Sequence, residues 1–128
     1  MDPENLRAVP LFASMAEDDL RKIATFATED SAPQGATLVR EGDFSNDMVA
    51  IESGTADVLR GGETIGSLGP GDVFGEMGVL GKENRSATIV ATSAMRLVRL
   101  DSWNVKRLPE AVREEMARLV EARRAKDG

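Results

Sequence analysis

Gly71-Asp72-Val73-Phe74-Gly75-Glu76-Met77-Gly78-Val79-Leu80-Gly81-Lys82-Glu83-Asn84-Arg85-Ser86-Ala87-Thr88 is the stretch from which the rest of the chain can be read. Four glycines punctuate it, and one carboxylate, Glu76, stands nine residues before one guanidinium, Arg85. Glycines let backbone N–H groups come close to a phosphate. An arginine adds the matching charge and a fork of donors, and a carboxylate accepts from a sugar hydroxyl. These parts suit a small ligand with one anionic phosphate and one ribose. Taken singly, Glu76 reads as a favoured charge at a helix start and Arg85 as a surface arginine paired with Glu83 or Asp72. Their order around the glycines favours the ligand. A triphosphate loop does not fit: Lys82 follows Gly81, but Glu83 stands where a hydroxyl residue is needed.

Upstream of this stretch, glycines at 35, 42, 54, 61, 62, 66 and 69 separate short β-favouring runs, and further runs overlap its end and follow it. The runs are Ala36 to Arg40, Asp47 to Glu52, Thr55 to Arg60, Glu63 to Leu68, Ala87 to Thr92 and Met95 to Leu100. Strands this short, at this spacing, predict an all-β barrel or sandwich. Arg60-Gly61-Gly62-Glu63 predicts a two-residue hairpin, because a primed turn needs positive φ at both central positions. Glu41-Gly42-Asp43 and Gly69-Pro70-Gly71-Asp72 are further turns, with Asp43 and Asp72 as turn formers.

Helical patterns flank the strands. Residues 1 to 13 read as a lead-in, with Pro10 turning into an anchored Leu11-Phe12 pair. Ser14 and Glu17 have capping-box spacing, and Leu20, Ile23, Ala24 and Ala27 form one stripe, which predicts a helix from about residue 15 to 29. Ser102 to Leu108 predicts a short helix. Pro109 then fits the first turn of a longer one, whose apolar stripe is Val112, Met116, Leu119 and Val120.

At 128 residues the chain is read as a single domain, 1–128. Within it lie an N-terminal helical segment (1–30), a β-barrel (34–101) and C-terminal helices (102–126). The net charge of −6 argues against a nucleic-acid partner. With no histidine and no cysteine, histidine- or thiolate-bound metal sites and Ser–His or Cys–His nucleophile pairs are excluded, so no metal site, cofactor or catalytic residue is expected. No apolar run approaches the roughly 20 residues of a membrane span. Nor does the acidic start resemble a signal peptide. No membrane partner and a cytoplasmic location are expected.

From Gly71 to Thr88 the sequence resembles the phosphate-binding cassette of the cyclic nucleotide-binding domain family. That family is shared by catabolite-activator-type regulators, cyclic-nucleotide-dependent kinases and cyclic-nucleotide-gated channels. Glu41-Gly42-Asp43, Met48-x-x-Ile51-x-x-Gly54 and Gly69-x-Gly71-Asp72-x-Phe74-Gly75-Glu76 recur in the family's order, and the resemblance covers roughly residues 10 to 125. It implies a double-stranded β-helix (jelly-roll) barrel with an N-terminal helix and two C-terminal helices. It also implies roles. Glu76 takes the ribose 2′-hydroxyl and Arg85 the exocyclic phosphate oxygens. Gly75, Met77 and Gly78 present close backbone, Ser86 adds a hydroxyl, and Ala87 lets the sugar–phosphate lie flat. Val58, Ile65 and Thr88 fall where the family lines the base pocket, Phe74 is a further ligand-binding candidate, and Leu119, Val120 and Arg123 are the reachable candidates for a lid over the base. Asn84 replaces the family's usual proline, and Gly78 a commoner alanine or serine. Serine after the arginine is usual in bacterial cAMP binders, so the implied ligand is cAMP, with cGMP as the alternative.

The implied function is a non-enzymatic second-messenger sensor or regulatory domain. No residues remain after the last helix for a helix-turn-helix, so the chain reads as a small complete protein or as a sensor segment. The C-terminal helix is the expected contact for a partner domain or a second copy. Two other readings compete: a ligand-free interaction domain on the same fold, and a cupin-like enzyme, which generally needs the histidines this chain lacks.

Overall fold

The computed structural model describes residues 1–42, 47–74 and 87–127, with the backbone alone over 123–127. The chain opens with α1 (Pro3–Arg7), a 3-10 turn (Pro10–Phe12) and α2 (Glu17–Ala24). Eight strands follow among the described residues: β1 (Thr28–Ala32), β2 (Thr37–Val39), β3 (Asp47–Ser53), β4 (Ala56–Arg60), β5 (Glu63–Leu68), β6 (Val73–Phe74), β7 (Thr88–Ala91) and β8 (Met95–Asp101). Two helices close the chain, α3 (Ser102–Lys106) and α4 (Glu110–Asp127).

The strands form two antiparallel four-stranded sheets, ordered β1-β8-β3-β6 and β2-β7-β4-β5. Packed face to face they make the jelly-roll sandwich that the glycine-spaced runs predict. β3 shows how one strand serves two cores. Met48, Val49, Ala50 and Ile51 are all fully buried. By strand alternation, Val49 and Ile51 face the other sheet, where they meet Ala56, Phe74, Ile89, Ala91, Met95 and Leu97. Met48 and Ala50 face the opposite way and join Val98 and Leu100 beneath the helices. There Leu6, Phe12, Leu20, Ile23, Val105, Val112, Met116 and Val120 complete a second core. The first sheet is therefore covered on both faces. This explains the unbroken apolar run in β3, where a one-sided strand would alternate.

Two of the turn signals are seen, while Asp43 of the Glu41-Gly42-Asp43 signal lies outside the described residues. Gly61 and Gly62 have φ of +58° and +84°, the double positive φ of a primed hairpin joining β4 to β5. At Gly69–Asp72 the Asp72 amide donates to the Gly69 carbonyl at 3.0 Å, and the Asp72 carboxylate accepts from the Gly69 amide at 2.8 Å. The Ile51 amide donates to the Asp72 carbonyl at 2.9 Å, which bolts the entry of β6 to β3. At the other end of the chain Pro109 opens the long helix: its carbonyl accepts from the Val112 and Arg113 amides at 3.0 and 3.1 Å.

The N-terminal third differs from expectation in three ways. The lead-in contains a helix, α1, because the Asp2 carboxylate caps the Glu4 amide at 2.8 Å and Pro3 takes a first-turn position. Ser14 does not cap α2. Ala16 occupies the N-cap without a side-chain bond, and Glu17, Asp18 and Asp19 supply the favourable charge of the first turn. The helix also stops at Ala24, not at 29. Thr25 turns its hydroxyl back onto the Lys22 carbonyl at 2.7 Å, and residues 28–32 pair with Met95–Arg99 as an edge strand. The sandwich therefore begins at Thr28, inside the segment expected to be helical.

Candidate functional site

Six of the expected site residues, Gly75, Glu76, Met77, Gly78, Arg85 and Ser86, lie outside the described residues. The structure does describe both strand ends from which this segment departs and returns. Phe74 ends β6 and is buried at 5% exposure within the inter-sheet core. Ala87 is half-buried and leads directly into β7 at Thr88.

The sheet beside these ends forms the wall of the candidate pocket. In the β4–β7 register, Ala56 faces Ala91 and Val58 faces Ile89. In the β4–β5 register, Ala56 faces Leu68 and Val58 faces Gly66. Ala56, Ile89 and Ala91 are buried, with Val58 and Leu68 packed against them. This face belongs to the inter-sheet core: Ala56, Ile89 and Ala91 are covered by the first sheet, and Val58 and Leu68 are only partly buried at its margin. Ile65 sits where the β4–β5 register shifts between Val58 and Leu59, and it is 51% exposed.

Thr88 is on the other face. It pairs with Leu59, one step out of phase with Val58 and Ile89. Its hydroxyl oxygen accepts the Glu41 amide at 3.0 Å. Val58 and Thr88 are therefore not brought to one surface. Leu119 packs on the helix-side core, and the side chain of Arg123 lies outside the described residues.

Glu41 is the residue that sequence reasoning passed over as part of a turn. Besides its bond to Thr88, its carboxylate accepts the Gly61 amide at 3.1 Å. Nothing local in the sequence signals a side chain that reaches across neighbouring strands.

Electrostatics elsewhere do not suit an anion. An open cleft of about 520 Å³ is lined by Glu29, Asp30, Ser31, Glu52, Arg96 and Leu97, so carboxylates outnumber its one guanidinium. Beside it Arg99 donates to Asp30 at 2.7 Å and lies 3.8 Å from Asp47. That hydrogen bond holds the Asp30 carboxyl below its ordinary range, against an opposing effect of burial. Asp101 is likewise lowered, chiefly by the Asn104 side-chain amide at 2.8 Å, and it caps α3. Among the described residues no group of acids is placed to hold a metal ion. No helix among them is long and apolar enough to cross a membrane.

Comparison with known proteins agrees with this geometry. A cAMP-dependent protein kinase regulatory subunit from Aspergillus niger is 34% identical over 115 residues, covering 88% of this chain and 28% of that protein. A cyclic AMP receptor protein from Thermus thermophilus is 32% identical over 100 residues, covering 74% of this chain and 46% of that protein. The chain thus spans a minor part of the curated relatives it matches. The crystal structure of a cyclic nucleotide-binding protein from Geobacter metallireducens superposes with a TM-score of 0.84 at 23% identity, covering 95% of this chain and 94% of that one, and so shares the fold. Residues 29–111 match the family described as the cyclic nucleotide-binding domain. With the two-sheet sandwich, the flanking helices and the ordered glycine turns, this match means that the chain belongs to the cyclic nucleotide-binding domain family.

Proposed function

We propose that this chain is a non-catalytic sensor for a cyclic nucleotide, binding cAMP in preference to cGMP. The observation that carries the proposal is the intact Glu76–Arg85 pair in a family member 34% identical to a relative named for its dependence on cAMP. A cyclic nucleotide carries one negative charge, which one arginine and a few backbone donors match without a metal ion. In this reading Arg85 pairs with the phosphate and Glu76 accepts from the ribose 2′-hydroxyl. Gly75, Met77 and Gly78 offer backbone, Ser86 adds a hydroxyl, and Ala87 keeps the approach open. Val58, Ile65 and Phe74 face or border the base, and Thr88 anchors the returning strand.

The ligand changes the protein only so far as it binds one arrangement better than another. The element proposed to respond is α4. It packs through Val112, Met116 and Val120 on the helix-side core, with Leu119 half-buried at its edge. A shift of α4 toward the base, by way of Leu119 or Arg123, is then read by a partner domain or a second copy in the cytoplasm.

Thermal unfolding with cAMP, cGMP and 5′-AMP in parallel tests the reading. Ligand at a hundredfold excess over its dissociation constant adds about 2.7 kcal/mol, a shift of several degrees for a domain of this size. The expected order is a large rise with cAMP, a smaller one with cGMP and none with 5′-AMP. No rise with either cyclic nucleotide at millimolar concentration favours the ligand-free interaction domain.

A further inference from the structure

We propose that Glu41 is a positioning residue for the nucleotide pocket, acting as a strap that fixes the β4–β5 hairpin against the strand on which the cassette returns. Two bonds carry the inference. The Glu41 amide donates to the Thr88 hydroxyl at 3.0 Å, and the Glu41 carboxylate accepts from the Gly61 amide at 3.1 Å. Glu41 follows the end of β2, Thr88 begins β7, and Gly61 is the first turn residue after β4. Because the sheet order is β2-β7-β4-β5, the side chain passes the end of β7 to reach the hairpin tip. One residue thus ties the start of β7 to the hairpin tip, at the end of the sheet where Leu59 pairs with Thr88.

The chemistry explains why a strap is needed. Among the described residues β5 is an edge strand, exposed along nearly its whole length and paired with β4 alone. Its register slips at Val58/Leu59, next to Ile65. A two-stranded hairpin in water is marginal by itself. The Gly61 amide lies in the turn beyond the Arg60–Glu63 pair, and a side-chain carbonyl acceptor at this reach satisfies it in place of water. Thr88 stands three residues after Arg85, so the same residue indexes the returning strand and the hairpin in one frame. The role concerns the base side of the pocket; the phosphate contact belongs to Arg85.

The inference rests on the proposal that this pocket takes a cyclic nucleotide, and the test separates the two. Calorimetric titrations with cAMP and cGMP compare wild type, Glu41→Ala, Glu41→Gln and Glu41→Asp, with Gly61 amide exchange followed by NMR. Glutamine keeps the acceptor at the same reach, whereas aspartate is one methylene too short. Expected are losses of about threefold to tenfold in cAMP affinity for the alanine and aspartate variants, with affinity within about twofold of wild type for glutamine. The Gly61 amide exchanges faster in the weakened variants, and the ratio of cAMP to cGMP affinity narrows. Wild-type affinity in the alanine or aspartate variant overturns the strap, as does a glutamine variant as weak as alanine or an unchanged cAMP-to-cGMP ratio. Should alanine fail to fold, the aspartate and glutamine pair decides alone. Absence of nucleotide binding by the wild type contradicts the functional reading instead.

Discussion

A single guanidinium at position 85 carries the anionic half of the proposed ligand, and its removal has a definite cost. Arg85→Ala should weaken cAMP binding by about 1.5–3 kcal/mol, roughly tenfold to more than a hundredfold, through loss of charge-assisted bonds. Glu76→Gln keeps a carbonyl acceptor for the ribose hydroxyl and should lose less. Displacement of a fluorescent cyclic nucleotide measures both, and unchanged affinity in the Arg85 variant removes the phosphate contact. A second residue-scale prediction concerns Asp30, whose carboxyl is held below its ordinary value first by the Arg99 hydrogen bond. A lowered folded pKa means the stabilisation is present above the ordinary carboxylate range and disappears as pH falls through the folded value. With side chains 30% and 40% exposed, the pair is screened by water, so its worth at neutral pH is below about 1 kcal/mol. Urea unfolding should therefore show Asp30→Asn less stable than wild type at pH 7. The gap should narrow as pH falls below the ordinary carboxylate range toward the lowered folded value; a constant gap denies the ion pair this role.

Among the elements, the junction between β3 and β4 is the least forgiving. Gly54 has φ of +91°, and a Cβ placed there meets the Ala94 carbonyl oxygen at 2.4 Å and the Met95 Cα at 2.8 Å. Gly54→Ala should cost about 2–4 kcal/mol, since both the backbone angle and the neighbouring main chain resist it. A melting temperature within a degree of wild type would contradict that contact. The six strand runs and the Gly61-Gly62 hairpin were legible because alternation and turn chemistry are local. β1 was not: Thr28, Glu29, Asp30 and Ser31 are exposed, so its pairing with β8 leaves little apolar pattern to read. β6 is two residues long and is fixed by Val49 and Ala50 across the sheet, not by its own sequence. Of the candidate site, the motif residues Gly75 to Ser86 lie outside the described residues, and the facing of the strands beside them was not legible. Whether Val58 and Thr88 share a surface depends on register between separate strands, and the Glu41 strap depends on three strand ends meeting.

Taken whole, the described residues form a helical layer on one sheet and a second sheet packed on that sheet's other face. The helix-side core and the inter-sheet core meet through β3 and β8. The chain carries a net charge of −6, so attraction of an anionic messenger must come from a local arrangement and not from the overall field. Calorimetric titration of the purified chain with cAMP tests the central claim most directly. The account predicts saturable binding of one nucleotide per chain, at submillimolar concentration or below. Absence of heat and of competition with cAMP and cGMP alike, at millimolar ligand and at two temperatures, would contradict it.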